Sequence, residues 1–230
     1  MRDSIYTIPI SEVFEPKTEC PICHLFHILE DRCVEYITGA AMMEPDVRIE
    51  TNRSGFCFDH YSMMLKKRNR LSVALILESH LDHIFSDVLT KSGLSSFAKS
   101  KSPAEKSLKS CYVCDTVNSV MDSMLSNTFK LWEKERDFRK LYSEQKYICM
   151  PHAVELINRA QSQIGKKNIR EFCDTTLSLS RNYLESLKSD VTSFCRSFDY
   201  RNANEPLNSP EIKNSVERSV SFLTSKYPSK

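Results

Sequence analysis

Cys20-Pro21-Ile22-Cys23 with Cys57-Phe58-Asp59-His60, and Cys111-Tyr112-Val113-Cys114 with Cys149-Met150-Pro151-His152, are the stretches whose reading decides the fold. In the first pair Cys57 follows Cys23 by 34 residues, and in the second Cys149 follows Cys114 by 35. The register also holds in between. Asp46-Val47-Arg48 begins 23 residues after Cys23, and Asp137-Phe138-Arg139 begins 23 residues after Cys114. Two CxxC…CxxH sets with a matching internal Asp-apolar-Arg define an internal repeat.

Thiolates three residues apart reach a single ion, and a CxxH contributes a thiolate and an imidazole. Together they complete the four-coordinate tetrahedral shell of a structural zinc. The expected ligands are Cys20, Cys23, Cys57, His60, Cys111, Cys114, Cys149 and His152, holding two zinc ions per chain. Four protein ligands leave no open position for water or substrate, whereas a catalytic zinc keeps one. An iron–sulfur cluster ranks below zinc, because cluster proteins more often use cysteine alone. Helix N-termini at the knuckles would stabilise thiolates through free amides and partial positive charge.

Geometry leaves the pairing open. A helix from Cys23 to Ala41 carries the chain about 28 Å away. Residues Met42 to Phe56 can return over about 45 Å when extended. In the second repeat an unbroken helix from Cys114 to Glu144 would end about 45 Å away with few residues left. Closure within that repeat therefore needs a break, near Ser126-Asn127-Thr128 or near Lys134 to Asp137, and the Asp-apolar-Arg match favours the later place. The alternative is that each CxxC closes with the CxxH of the other repeat.

The rest of the 230-residue chain reads as helical. Only four glycines occur (Gly39, Gly55, Gly93 and Gly165), each where an apolar helical pattern ends or a turn is needed. That usage suits helices, which glycine weakens internally and caps at C-termini. Apolar periodicity predicts helices over Cys23–Ala41, Asp59–Thr90, Asp115–Glu133, Ala153–Ile164 and Ile169–Phe198, with one more over Glu211–Lys226. Ala74, Leu77, Leu81, Phe85 and Val88 form one stripe, and Phe172, Thr176, Leu179, Tyr183 and Leu187 begin another. Both read as packing faces. The expected class is all-α: two zinc-knuckle repeats, each followed by long helices, packed as a helical bundle. The first repeat spans 1–95, a Ser/Lys-rich linker 96–110, the second repeat 111–201, and a C-terminal segment 202–230. Seven serines and five lysines in Lys91–Ser110 mark the linker.

Charge and targeting narrow the function. A formal net charge of +2 provides no global field toward nucleic acid or membrane. The N-terminus lacks the pattern of a secretory signal, and the longest aliphatic run, Val73–Leu77, is far short of a membrane span. Nine cysteines without an export signal read as thiols in a reducing compartment, so a cytoplasmic location is expected. Cys33, Cys173 and Cys195 read as core thiols. His24 and His27 read as surface groups or neighbours of the ligands. The trio His80, Asp82 and His83 reads as a polar helix face. Asp46, Arg48, Asp137 and Arg139 are candidates either to support the ligands from a second layer or to form plain salt bridges or start helices. Lys66, Lys67, Arg68 and Arg70 form the densest basic cluster and are the candidate nucleic-acid contact.

Ile5 to Ile10, Glu44-Pro45-Asp46-Val47-Arg48-Ile49-Glu50, Gly55-Phe56-Cys57-Phe58-Asp59-His60, Asn69-Arg70-Leu71, Leu131-Trp132, Cys149-Met150-Pro151-His152 and Phe198-Asp199-Tyr200-Arg201-Asn202 are similar to a bacterial family classed only as a domain of unknown function. The resemblance covers nearly the whole chain. It implies a bacterial cytoplasmic protein and no particular activity. Tyr147-Ile148 departs from it, standing where the first repeat has Gly-Phe. No phosphate loop, GxSxG, HExxH or paired carboxylates point to catalysis. The first expectation is therefore a non-enzymatic, zinc-stabilised helical adaptor that binds another protein. The alternatives are a nucleic-acid-associated regulator and a thiol-redox or metal-responsive protein.

Overall fold

The computed structural model describes residues 10–90, 109–199 and 209–226. Every regular element among them is helical. In chain order these are α1 (Ile10–Phe14), α2 (Pro21–Thr38), a 3-10 turn (Ala40–Met43), α3 (Pro45–Ser54), α4 (Phe58–Lys66) and α5 (Arg70–His83) with its π-helical extension (Ile84–Thr90). Then follow α6 (Tyr112–Lys134), α7 (Arg136–Ser143), α8 (Met150–Gln163), α9 (Ile169–Arg196), α10 (Pro210–Lys213) and α11 (Ser215–Thr224). The two repeats share one order: long helix, short helix, knuckle, helix, helix. The all-α class is as the periodicity predicts. The expected linker lies outside the described residues except at Lys109 and Ser110, as do Ile5–Pro9 and Tyr200–Asn202 of the family-like stretches.

The chain forms two compact units. Among the described residues one is Phe26–Asp122, and the other combines Ile10–Leu25 with Ser123 onward. Their boundaries fall inside α2 and α6. Each unit thus takes its CxxH and short helices from one repeat and its CxxC from the other.

In the first unit α3 packs on α5. Val47, Val73 and Ile76 are buried, with Leu29, Val34 and Ile37 of α2 and Val113 and Val117 of α6. The predicted single helix Asp59–Thr90 is broken at Lys67–Asn69. Lys67 turns extended (ψ 136°) and donates to Asp31 and Glu35. Asn69 then caps α5, accepting from the Ser72 amide at 3.2 Å while its own amide nitrogen donates to the Thr38 carbonyl. Asparagine at an N-cap satisfies an amide that a continuous helix would not leave open. Gly55 ends α3 at φ 60°, ψ −159°, a conformation essentially confined to glycine.

The second unit has an aromatic core. Phe172 of α9 meets Phe129 and Trp132 of α6 edge-on and Tyr142 of α7 at a tilt, with centroids 5.2–5.4 Å away. The buried Tyr142 hydroxyl is bonded to Thr176 at 2.8 Å. Gln145 donates to the Phe14 carbonyl, holding α1 in place. The break between α6 and α7 falls at Glu135, in the later of the two places foreseen. Instead of one helix over Glu211–Lys226, α10 and α11 form two pieces joined at Asn214, and both pack on α9. Tyr147, the departure from Gly-Phe, needs no left-handed backbone. Its ring stacks on Tyr183 at 3.9 Å and meets Phe222 of α11, so packing replaces the glycine turn there.

Candidate metal centres

Each of the four knuckles is the start of a helix. Cys20, Cys57, Cys111 and Cys149 immediately precede α2, α4, α6 and α8, and their carbonyls accept the amides of His24, Tyr61, Asp115 and Ala153. Cys23, His60, Cys114 and His152 lie three residues on, in the first helical turn. One helix start thus offers two ligand side chains, beside amides that no helical carbonyl claims.

The helix starts meet in pairs across the repeats. Cys20 and Cys23 join Cys149 and His152 in the second unit, and Cys57 and His60 join Cys111 and Cys114 in the first. Within each group the four ligand atoms lie within 4.8 Å of one another. Closure across the repeats, left open by the spacing, is the arrangement adopted. His60 Nδ1 stands 3.1 Å from Cys57 Sγ, 3.2 Å from Cys111 Sγ and 3.5 Å from Cys114 Sγ. His152 Nδ1 stands 3.1, 3.3 and 3.7 Å from Cys149, Cys23 and Cys20. The sulfurs of Cys23 and Cys149 are 3.6 Å apart, and those of Cys57 and Cys114 are 4.0 Å apart. These are not disulfide distances, which are about 2.05 Å. A tetrahedral ion bonded at about 2.3 Å to sulfur and about 2.0–2.1 Å to nitrogen spaces its ligands by about 3.8 Å (S to S) and about 3.6 Å (S to N). The groups match that frame, so either can hold one metal ion.

The electrostatics fit a cation. Burial raises the Cys111 thiol, but His60 and the backbone amides of Cys114 and Cys57 outweigh it and bring it to about 6. Burial lowers His60, yet Cys111 and the Glu30 carboxylate raise it to about 10. Burial and the neighbouring Cys111 push Cys114 well up. In the other group burial works against ionisation of Cys20, but bonds from Cys149, Cys23 and His152 hold it well below the usual thiol value. Cys23 is driven far up by its bonds to Cys149 and Cys20, and Cys149 is driven up to about 12, chiefly by Cys20. One thiolate in each group is favoured, Cys20 or Cys111, while Cys23 and Cys149 in the one and Cys114 and His60 in the other are pushed toward their protonated forms. A divalent ion would take over the role of those protons.

The supporting residue that the sequence did not indicate is Glu30. Its carboxylate lies 2.9 Å from His60 Nε2, with His60 3 % exposed and Glu30 17 %. This is the carboxylate–histidine pair that orients a metal-bound imidazole with Nδ1 toward the ion. Arg48 and Arg139 do not play that part. Arg48 donates to the Leu75 carbonyl at 2.6 Å. Arg139 donates to the carbonyls of Trp132 and Glu133 at the end of α6 and lies 4.3 Å over the Trp132 ring. Asp46 and Asp137 are exposed in the first turns of α3 and α7, where a carboxylate complements the helix dipole. The repeated Asp-apolar-Arg is a helix-start device: acid outward, Val47 or Phe138 buried, arginine tied to backbone.

The remaining candidates separate cleanly. His24 pairs with Glu19, His80 with the Asn52 carbonyl and His83 with Asp87, so no third metal group forms among the described residues. Cys33 is fully buried, as expected of a core thiol. Cys173 is only partly buried and Cys195 is exposed, because α9 turns those positions away from its packed side. Of the basic cluster, Lys67 is engaged by Asp31 and Glu35, while Lys66, Arg68 and Arg70 are exposed around the break between α4 and α5.

Fold and clusters together define an all-helical protein with two cysteine–histidine sites able to bind metal. A family model described as a family of unknown function, DUF6062, matches residues 1–230, and the chain belongs to that family. No curated protein and no solved structure matches the chain. Among the described residues no helix is long and apolar enough to cross a membrane.

Proposed function

We propose that this is a zinc-stabilised, non-catalytic helical scaffold that works by binding another protein in the reducing cytoplasm of a bacterium. The observation that carries this reading is the closure of each ligand set: three thiols and one imidazole, all within 4.8 Å. Such a set fills a tetrahedral ion and leaves no position for a substrate. A multi-iron cluster would spread its ligands over several irons, which favours a single ion, and the thiol-rich donor set favours zinc. Structural zinc contributes apparent values of about 10–16 kcal/mol in small fingers, comparable to the net stability of a whole domain, about 5–15 kcal/mol. The ions are therefore part of the architecture.

Elemental analysis of the purified chain tests this. About two zinc ions per chain are expected, with cooperative loss of helical signal when a strong chelator removes them. Stoichiometric iron with acid-labile sulfide, or a metal-free chain that melts unchanged, would overturn the reading.

A further inference from the structure

The internal repeat makes the two ligand groups copies of each other, so a difference between equivalent residues is informative. Cys57 and Cys114 of the first unit correspond to Cys149 and Cys23 of the second. Each pair sets the CxxH cysteine of one repeat against the second CxxC cysteine of the other. The sulfurs are 4.0 Å apart in the first pair and 3.6 Å apart in the second. Their access to solvent differs. Cys149 and Cys23 are 1 and 3 % exposed, whereas Cys57 and Cys114 are both only partly buried. In the first group burial falls instead on Cys111, at 4 %, and on His60.

The cover over the second pair comes from the C-terminal segment. Tyr147, two residues before Cys149, stacks on Tyr183, and Phe222 of α11 packs against both rings. The chain leaving α11 then reaches the ligands themselves, with the Ser225 carbonyl 4.0 Å from Cys23 Sγ. In the first repeat Gly55 stands in the place of Tyr147, and among the described residues that repeat has no counterpart of α11. One pair of equivalent sulfurs is therefore sealed by packing, and the other meets solvent.

We propose that Cys57 and Cys114 are a site of reversible oxidative modification, joined by hydrogen peroxide into a disulfide between the repeats while the second group stays reduced. One sulfur attacks peroxide: an S–O bond forms, the O–O bond breaks and hydroxide leaves, giving a sulfenic acid. The other sulfur attacks that sulfur: the S–S bond forms, the S–O bond breaks and a second hydroxide leaves. The two thiolates lose two electrons, the peroxide gains them, and two protons from solvent turn the hydroxides into water. The sulfurs have about 2 Å to close, from 4.0 Å to the length of the bond. The new bond joins residues 57 apart in the chain, a span over which a cross-link restrains the unfolded state. The first unit thus keeps a tie between its knuckles. Cys111 and His60 are left as the only donors, too few for a tetrahedral ion. In a reducing compartment such a bond is transient, which suits a sensor. The proposal rests on the zinc-scaffold reading, and the two fail separately. Zinc content before oxidation reports on that reading and the disulfide map on this one.

The test is peptide mapping by mass spectrometry, with zinc release followed by a chromogenic chelator, on the zinc-loaded chain exposed to a small excess of hydrogen peroxide. About one zinc per chain should be released, at least about tenfold faster than the second. Cys57–Cys114 should be the new disulfide, with Cys20, Cys23 and Cys149 still open to alkylation after unfolding. Dithiothreitol with added zinc should restore the starting metal content. Cys173→Ser/Cys195→Ser, which removes the other accessible thiols, should behave as wild type. Phe222→Ala, which takes a ring off Tyr147 and Tyr183, should speed oxidation at Cys23 and Cys149 at least about tenfold. Equal loss of both ions overturns the proposal, as does a disulfide confined to Cys111–Cys114 or formed first in the second group. So does sulfinic acid at Cys57 or Cys114 without the bond, or unchanged protection of Cys23 and Cys149 in Phe222→Ala.

Discussion

Exchange of ligands between the repeats makes a prediction that within-repeat closure reverses. Take two double variants, Cys20→Ser/Cys149→Ser and Cys20→Ser/Cys57→Ser. The first removes two ligands of one group, while the second removes one ligand from each. If about 10–16 kcal/mol of apparent zinc affinity is spread over four ligands, each thiolate carries about 2.5–4 kcal/mol, or two to three decades in binding. Two losses in one site are therefore redundant once that site is emptied, whereas losses in two sites add. After dialysis against a competing chelator, the first variant should retain about one zinc per chain and the second close to none. Because each group lies within one unit, hydrogen exchange in the first variant should rise in α1, α7 and α8, and the protection of α3 and α5 should persist. Near-zero zinc in the first variant with one retained in the second would refute the cross-repeat assignment.

Glu30→Gln removes the carboxylate from His60 Nε2 and should lower zinc affinity at that group about 10–100-fold, read by chelator competition against a Glu50→Gln control. Arg139→Met should cost about 1–2 kcal/mol through the lost carbonyl bonds and ring contact, with zinc content intact in the same melting samples. Gly55→Ala forces a side chain into φ 60°, ψ −159° and should lower stability by about 1–3 kcal/mol in denaturant titrations. Zinc affinity should rise with pH between about 6 and about 10. Without metal, His60, raised to about 10, and Cys114, raised further, hold protons that the ion displaces, so acidification favours the protonated ligands and releases zinc. Isothermal titration in buffers of different ionisation enthalpy counts those protons, and a pH-independent affinity contradicts the assignment.

The eight candidate ligands were legible because CxxC and CxxH fix ligands by local spacing, and local spacing at a helix start is a property of sequence. Their pairing was not. Return distances allow either closure, and the break at Glu135, which closure within the repeat would require, serves instead to start α7. Glu30 was invisible for the same reason: without the pairing, nothing singles out one acid on the polar side of α2. Periodicity found α2, α6, α8 and α9 within a few residues of their ends. It missed the break at Lys67–Asn69, where a side-chain cap and two ion pairs override an apolar pattern that runs straight through. It also treated an apolar stripe as a buried one. Period alone does not distinguish a buried apolar face from an exposed one, as Leu81 and Phe85 show.

The two closures are nested along the polypeptide. Cys57 and Cys114 are 57 residues apart, enclosed within the 126 residues between Cys23 and Cys149. Joining the outer pair costs only about 0.7 kcal/mol more chain entropy than joining the inner one. During synthesis the order is nonetheless fixed. The inner group is complete once Cys114 has left the ribosome, while Cys20 and Cys23, made before the other six candidate ligands, must wait for His152. A nascent chain therefore carries the Cys20–Cys23 dithiol unmatched while the 126 residues up to Cys149 are added, an interval in which a mistaken metal or an oxidant can reach it.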